Sequence, residues 1–252
     1  IKLLEPEYPQ QIQIVNKGKS NGKSLFDFGV IVTNSPEWVV PQRDVTSVSI
    51  PGRSGDLIID NGRYNNLSIP YAVSTIPAFM KSTLYETINS LKDWLLTNDT
   101  YCKLTDTYNP GYYRLARVSN INNIVNDIAS VGSTTIIFDC KPYLYHNDGE
   151  QLIQATSTNF IIKNPEHCES EPYFKIFGSG DITVSVGEYS FILTNVTDYL
   201  EVDCEMQDCF RNYTNCNKQF QGVFPKLLWG NNNVIINGNV NKIQYKGRFR
   251  RI

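Results

Sequence analysis

The stretch DVTSVSIPGRSGDLIID, residues 44–60, decides how the chain is read. It admits two readings. A serine set between glycines, with arginine and aspartate beside it, could be a bend presenting a nucleophile. It could equally be the tip of a β-hairpin. The nucleophile-elbow pattern G-x-S-x-G needs glycine two residues after the serine, and a helix after that. Here Asp56 stands at that position, and the strand-like run LIID follows. The order Gly-Arg-Ser-Gly-Asp is also not that of a chymotrypsin-like serine. A serine nucleophile needs a base, and the chain holds only two histidines, His146 and His167, both in loop-like sequence. The hairpin reading wins. DVTSVSI and LIID are the strands. Pro51, Gly52, Arg53, Ser54, Gly55 and Asp56 are the tip, where glycine tolerates positive φ, proline fixes φ and Asp56 can accept local N–H bonds. These six residues are the candidate contact loop.

Outward from the tip, the pattern stays β. FDFGVIV puts Phe26, Phe28, Val30 and Val32 on one side of an extended segment, and LSIPYAV does the same with Leu67, Ile69, Tyr71 and Val73. Pro70 lacks an N–H and belongs on an edge or facing outward. Asn61-Gly62 is a strong turn signal, so residues 44–73 are expected to form a three-stranded meander. One helix is expected over residues 84–97. It carries Leu84, Ile88, Leu91 and Leu95 on one stripe, opens with a Thr83/Glu86 capping box and lies on the sheet. More strands are expected near residues 112–119 and 134–140. CKPYLYHNDGEQ, residues 140–151, reads as a linker. Beyond it the runs FIIK, PYFKIFG, ITVSV, YSFILT, YLEVDC, VIING and KIQYKG recur about every ten residues, the spacing of an antiparallel sandwich.

Composition narrows the chemistry. The 252 residues hold 23 Lys+Arg and 25 Asp+Glu, a net charge of −2, with no run of five like charges. Charge therefore favours neither stable nucleic-acid binding nor a membrane-surface role. No apolar run approaches the 18 residues of a membrane span, and the first residues do not read as a secretory signal. Cys102, Cys140, Cys168, Cys204, Cys209 and Cys216 are sparse and irregular, which favours reduced thiols. Cys204, Cys209 and Cys216, with His167 or Cys168, lack the paired spacing of a zinc knuckle. Paired carboxylates such as Glu169/Glu171 and Asp203/Glu205 read as solvated loop charges. The tail YKGRFRRI, residues 245–252, reads as a strand with Phe249 inward and arginines outward. No catalytic residue, metal or cofactor is expected.

Both halves together resemble the siphophage distal tail protein family, also called Dit. In the first half the resemblance rests on Pro51, Gly52, Arg53, Gly55, Asp56 and Leu57, on Asn61-Gly62, and on a single helix carrying Trp94-Leu95. In the second it rests on EPYFKIFGSGDITVSV (171–186), EVDCEMQDCF (201–210) and the run from GVFPKLLWGNNN to the terminus. Trp229 departs from the family, which often has proline or a small residue there. The resemblance implies a mainly β fold in two domains. Residues 1–143 would be a β-sandwich or barrel-like ring-forming domain with one α-helix, with 246–252 as a candidate strand returning to it. Residues 144–245 would be a galectin-like antiparallel β-sandwich. It implies a structural, non-enzymatic protein of the virion's tail tip, assembled in the bacterial host's cytoplasm. There it would form a homohexameric ring, meeting the major tail tube protein on one side and the tail-associated hub protein on the other, with receptor-binding proteins as a further partner of the outer domain. A carbohydrate-binding module of an adhesion device is the alternative. A cell-wall hydrolase lacks any acid–base or metal constellation in this sequence.

Overall fold

Alternation in LSIPYAVST becomes a strand, Leu67–Thr75, with Leu67, Ile69, Tyr71, Val73 and Thr75 buried. The computed structural model describes residues 12–15, 22–35, 37, 39–97, 100–122, 125–128 and 131–252. Pro36 and Trp38, within the stretch that resembles the tail family, lie outside the described residues. By its internal contacts the chain divides into two units, residues 1–144 with Ile252, and residues 145–251. The division falls inside a continuous strand, Val131–His146, so the expected linker is extended backbone until a short 3₁₀ turn at Asn147–Glu150.

The core of the first unit is built on a large antiparallel sheet. Its order is Lys23–Ser24, Ile12–Val15, Cys102–Asp106, Tyr112–Ile121, Val131–His146, Leu67–Thr75 and Val30–Val32, and Val125–Ile128 also pairs with Val131–His146. Pro70 pairs opposite Ile137 on one side, while Val30–Val32 reaches only residues 73–75 on the other. The missing N–H of Pro70 therefore leaves no ladder bond unmade beside that short strand. Tyr71 packs edge-to-face on Phe138 at 5.7 Å, and its hydroxyl donates to Asp106 Oδ2 at 2.8 Å. Burial is the main reason the Tyr71 phenol stays protonated, and the Asp106 carboxylate reinforces it.

The helix runs Leu84–Leu96. Leu91 and Leu95 join the core of this unit, and Trp94 stacks on Phe28 at 5.1 Å. Thr83 Oγ1 accepts the Glu86 N–H and Glu86 Oε2 accepts the Thr83 N–H, completing the expected box. Thr83→Ala is expected to cost about 1 kcal/mol in urea unfolding, with an unchanged slope.

FDFGVIV is not one strand. Residues Leu25–Phe28 form a 3₁₀ turn, and only Val30–Val32 is extended. Ser24 accepts the Phe26 N–H and Asp27 accepts the Ser24 N–H, so local capping overrides the alternation. Gly29 closes the turn at φ +69, where an added Cβ would meet the Met80 backbone nitrogen at 2.8 Å.

The second unit is a curled antiparallel sheet around its own core. Two long strands, Tyr173–Val186 and Gly230–Lys246, pair along their length and shift register near residues 178–183. PYFKIFG and ITVSV are thus one bent strand, as are VIING and KIQYKG. Residues 173–177 pair with Tyr199–Asp203, and residues 180–186 pair with Tyr189–Val196. Likewise Ile153–Ala155 and Asn159–Asn164 pair with opposite ends of Gly230–Lys246. Both halves turn Phe174, Ile176, Ile182, Val184, Phe191, Leu193, Leu200 and Val202 into one core. Gly178 lets the strands bend, because a Cβ there would lie 2.3 Å from the Asn239 carbonyl oxygen.

The tail corrects one expectation. Phe249 packs against this core as read, but Arg248 and Arg250 are not outward. Arg248 forks onto Asp203 at 2.6 and 2.8 Å, and Arg250 bonds Glu171 and the Glu169 carbonyl at 2.8 Å each. Buried carboxylate and carbonyl acceptors hold these guanidinium groups inside.

Candidate functional site

The segment 44–60 forms its own sheet. Among the described residues, Arg43–Val48 pairs only with Leu57–Tyr64 in a two-stranded ribbon, not in a three-stranded meander. Asn61-Gly62 lies within the second strand and makes a bulge there. Arg43 pairs with Tyr64 and Val45 with Asp60, so residues 61–63 all oppose Asp44. Gly62 takes φ +74, and its N–H donates to Asp60 Oδ1. The Asp44 carboxylate receives Arg63 Nε at 2.5 Å and Asn61 Nδ2 at 3.2 Å. These bonds, Arg63 first, hold its carboxyl below the usual range. Arg43 pairs with Asp60 at 2.9 Å and lies 4.7 Å above the Tyr64 ring, which meets Tyr143 edge-on. The base of the ribbon is therefore tied together by polar contacts and meets the neighbouring sheet through Tyr143.

Among the described residues, its blade has no core. Val45 and Ile58 share one face. Val48, Leu57 and Ile59 share the other. All five are exposed, Ile58 to 67 %, and none belongs to either buried cluster. An isolated two-stranded hairpin is marginal in water. Contiguous exposed aliphatics mark a surface that meets another molecule. The sequence reading identified the tip but missed this blade. The signal was there in three successive aliphatics, Leu57, Ile58 and Ile59, which alternate faces and cannot all enter one core.

At the tip, the Arg53 N–H donates to the Ile50 carbonyl, with Pro51 and Gly52 in the middle and Gly52 at φ +81, the geometry of a type II turn. Gly55 takes φ +85, and Asp56 Oδ2 accepts the Ser47 hydroxyl at 2.8 Å. Pro51, Gly52, Arg53, Ser54, Gly55 and Asp56 are all exposed. The Arg53 guanidinium has no partner among the described residues. Ser54 sits in a unit that contains neither histidine. His146 Nδ1 accepts the Asp148 N–H, and His167 stacks on Trp229 at 4.5 Å. The arrangement supplies contact area, strand edges and one free guanidinium.

No protein-family model matches the chain, and no curated protein matches it by sequence. Among solved structures it is similar to the crystal structure of the SPP1 Dit (gp 19.1) protein, described as a paradigm of the hub adsorption apparatus in phages infecting Gram-positive bacteria. The TM-score is 0.75 at 14 % identity, and the match covers 97 % of this chain and 100 % of that one. Both units and their order are thus included in the match, and the chain has a mainly β fold of the Dit kind.

Proposed function

We propose that this chain is a structural protein of a phage tail tip that assembles with copies of itself into a hexameric ring. The ring joins the tail tube to the hub protein and carries receptor-binding proteins outside. Residues 1–143 form the ring, and the sandwich beyond residue 144 faces outward. Such a protein acts in the virion, after assembly in the host cytoplasm, with no bond-making chemistry. The ribbon carries this reading. It is a folded element with aliphatic side chains on both faces, and no described residue of its own unit covers either. Rings are built from head-to-tail contacts in which one patch meets a different patch on the next copy. A blade held out on a polar base fits that demand. Full-length similarity to a hub-apparatus protein supports the same reading.

Arg53 tests the tip. Its guanidinium is free to fork onto a carboxylate or carbonyls of a neighbouring copy or the tube. Arg53→Ala is expected to leave the melting temperature unchanged and to weaken the ring roughly tenfold, read by size exclusion with light scattering. Unchanged assembly across a dilution series would remove the tip from the interface.

A second reading is carbohydrate binding by the outer unit. Trp229 is exposed beside His167 and Leu228, and exposed aromatics can stack on sugars. A glycan array with the full chain discriminates, since selective binding lost in Trp229→Ala supports it and a blank array removes it.

A further inference from the structure

The hairpin formed by Asp208–Arg211 and Thr214–Asn215 carries two cysteines that the tail-tip reading leaves unused. Phe210 pairs with Asn215 and Arg211 with Thr214. One step further down, Cys209 therefore faces Cys216. The Cys216 N–H donates to the Cys209 carbonyl at 2.7 Å. The Cys209 N–H goes to Asn217 Oδ1 at 2.6 Å, so the two cysteines share one ladder bond. Directly opposed residues of an antiparallel pair have Cα atoms about 4.5–5.5 Å apart, inside the range of about 4.4–6.8 Å that a disulfide spans. Both side chains lie on the same face, Cys209 within the core of this unit and Cys216 packed against it. Cys204 is the competing thiol. Val202 pairs with Cys209 and Asp203 with Asp208, so Cys204 lies in the turn past the last paired residue and is not opposed to Cys209.

The turn between the cysteines is strained. Asn212 and Tyr213 are both left-handed, at φ 48 and 65, and Tyr213 is fully exposed at 102 %. A tyrosine rarely adopts that backbone, and the strain persists only where the surroundings enforce it. Here Tyr199 donates its hydroxyl to Asn212 Oδ1, and Arg211 donates to Thr197 at 2.6 Å. A cross-link across the two strands would hold the same turn covalently.

We propose that Cys209 and Cys216 form a reversible cross-strand disulfide that locks this hairpin, with Tyr213 at its apex, under oxidising conditions. The oxidant is a small-molecule disulfide, R–S–S–R. Cys216 is half-exposed, so its thiolate attacks one sulfur and expels R–S⁻, leaving a mixed disulfide. Cys209 then loses its proton to solvent and attacks Cys216 Sγ, expelling the second R–S⁻. Two protein S–H bonds are lost, one S–S bond forms, and the reagent leaves as two thiols. Burial pushes the Cys209 thiol up to about 12, with Cys216 and Asp208 adding to it, so the second step is the slow one.

The test incubates the full chain with oxidised glutathione at pH 8, alkylates free thiols, and maps peptides by mass. A Cys209–Cys216 linked peptide is expected. Cys216→Ser abolishes it and leaves Cys209 alkylatable. Cys209→Ser stops at the glutathione adduct on Cys216. Trypsin cleavage after Arg211, read on reduced gels, is expected to slow about tenfold or more on oxidation, because the hairpin must open to be cut. Separate alkylation of both cysteines after oxidation, or a Cys204–Cys209 link in its place, overturns the pairing. An unchanged cleavage rate in the linked form overturns the lock.

Discussion

Ile58→Asp combined with Ile59→Lys is expected to abolish self-assembly while leaving the chain folded. The two residues occupy opposite faces of the ribbon, so the pair places a charge on each. Covering an isoleucine contributes about 1.5–3 kcal/mol, and an unpaired charge buried in its place costs several more. A loss of about 4 kcal/mol at each contact weakens it roughly a thousandfold. Light scattering should then give the 28.7 kDa mass of one chain where the unaltered protein gives a multiple of it. The melting temperature should move by no more than a degree or two, since neither isoleucine enters a core. Full assembly of the doubly charged variant would mean that the blade stays in water, and the proposed role for it would be wrong.

The second large effect lies in the Arg248–Asp203 pair. Its side chains are 17 % and 7 % exposed, and the fork is bidentate. Asp203 also accepts the N–H groups of Glu205 and Met206, fixing the turn that follows its strand. Removing one partner of such a pair strands the other, at a cost of about 3–5 kcal/mol. Arg248→Ala should therefore lower the melting temperature by roughly 10 °C. Arg248 has φ 49, a left-handed backbone, so Arg248→Gly should be about 1 kcal/mol less damaging than the alanine variant. Equal losses would mean that the backbone there carries no strain.

The same pair sets a pH dependence. Burial would raise the Asp203 carboxyl, but the Arg248 fork and the backbone N–H groups outweigh it and hold it below the usual range. A depressed carboxyl contributes stability that is complete above the unfolded value, near 4. That stability is lost as pH falls through the lower folded value. The gap in melting temperature between the native chain and Asp203→Asn should therefore be widest at neutral pH and close progressively below about pH 4. A gap that stayed constant down to pH 2.5 would contradict this origin.

What was legible in the sequence follows from whether the information is local. The helix was readable because its stripe and its Thr83/Glu86 box are contained within a few residues. Leu67–Thr75 was readable because one face meets a core and the other does not. The same rule failed at Phe26 and Phe28, where Ser24, Asp27 and Gly29 form a local turn that competes with alternation. It failed at Asn61-Gly62 because a hairpin turn and a bulge share the same residue types. The choice between them was made by Asp44, across the ribbon. The merging of four short runs into two long bent strands depended on glycines at a sheet corner, which locally look like turns. Arg248 reads as outward in the sequence because nothing near it in the chain announces Asp203, 45 residues away. The tip, Pro51 to Asp56, was legible as a loop. The exposed blade beneath it is easily missed, since aliphatic strand residues are ordinarily read as core and only the successive run Leu57, Ile58 and Ile59 signals otherwise.

The proposed function requires this chain to fit against copies of itself. Negative-stain electron microscopy of the purified full-length protein, averaged without imposed symmetry, tests it most directly. Six-fold annular particles with an open centre are expected, with a mass by light scattering six times that of the chain. Particles of single chains or two-fold pairs at every concentration, with no annulus, would contradict it.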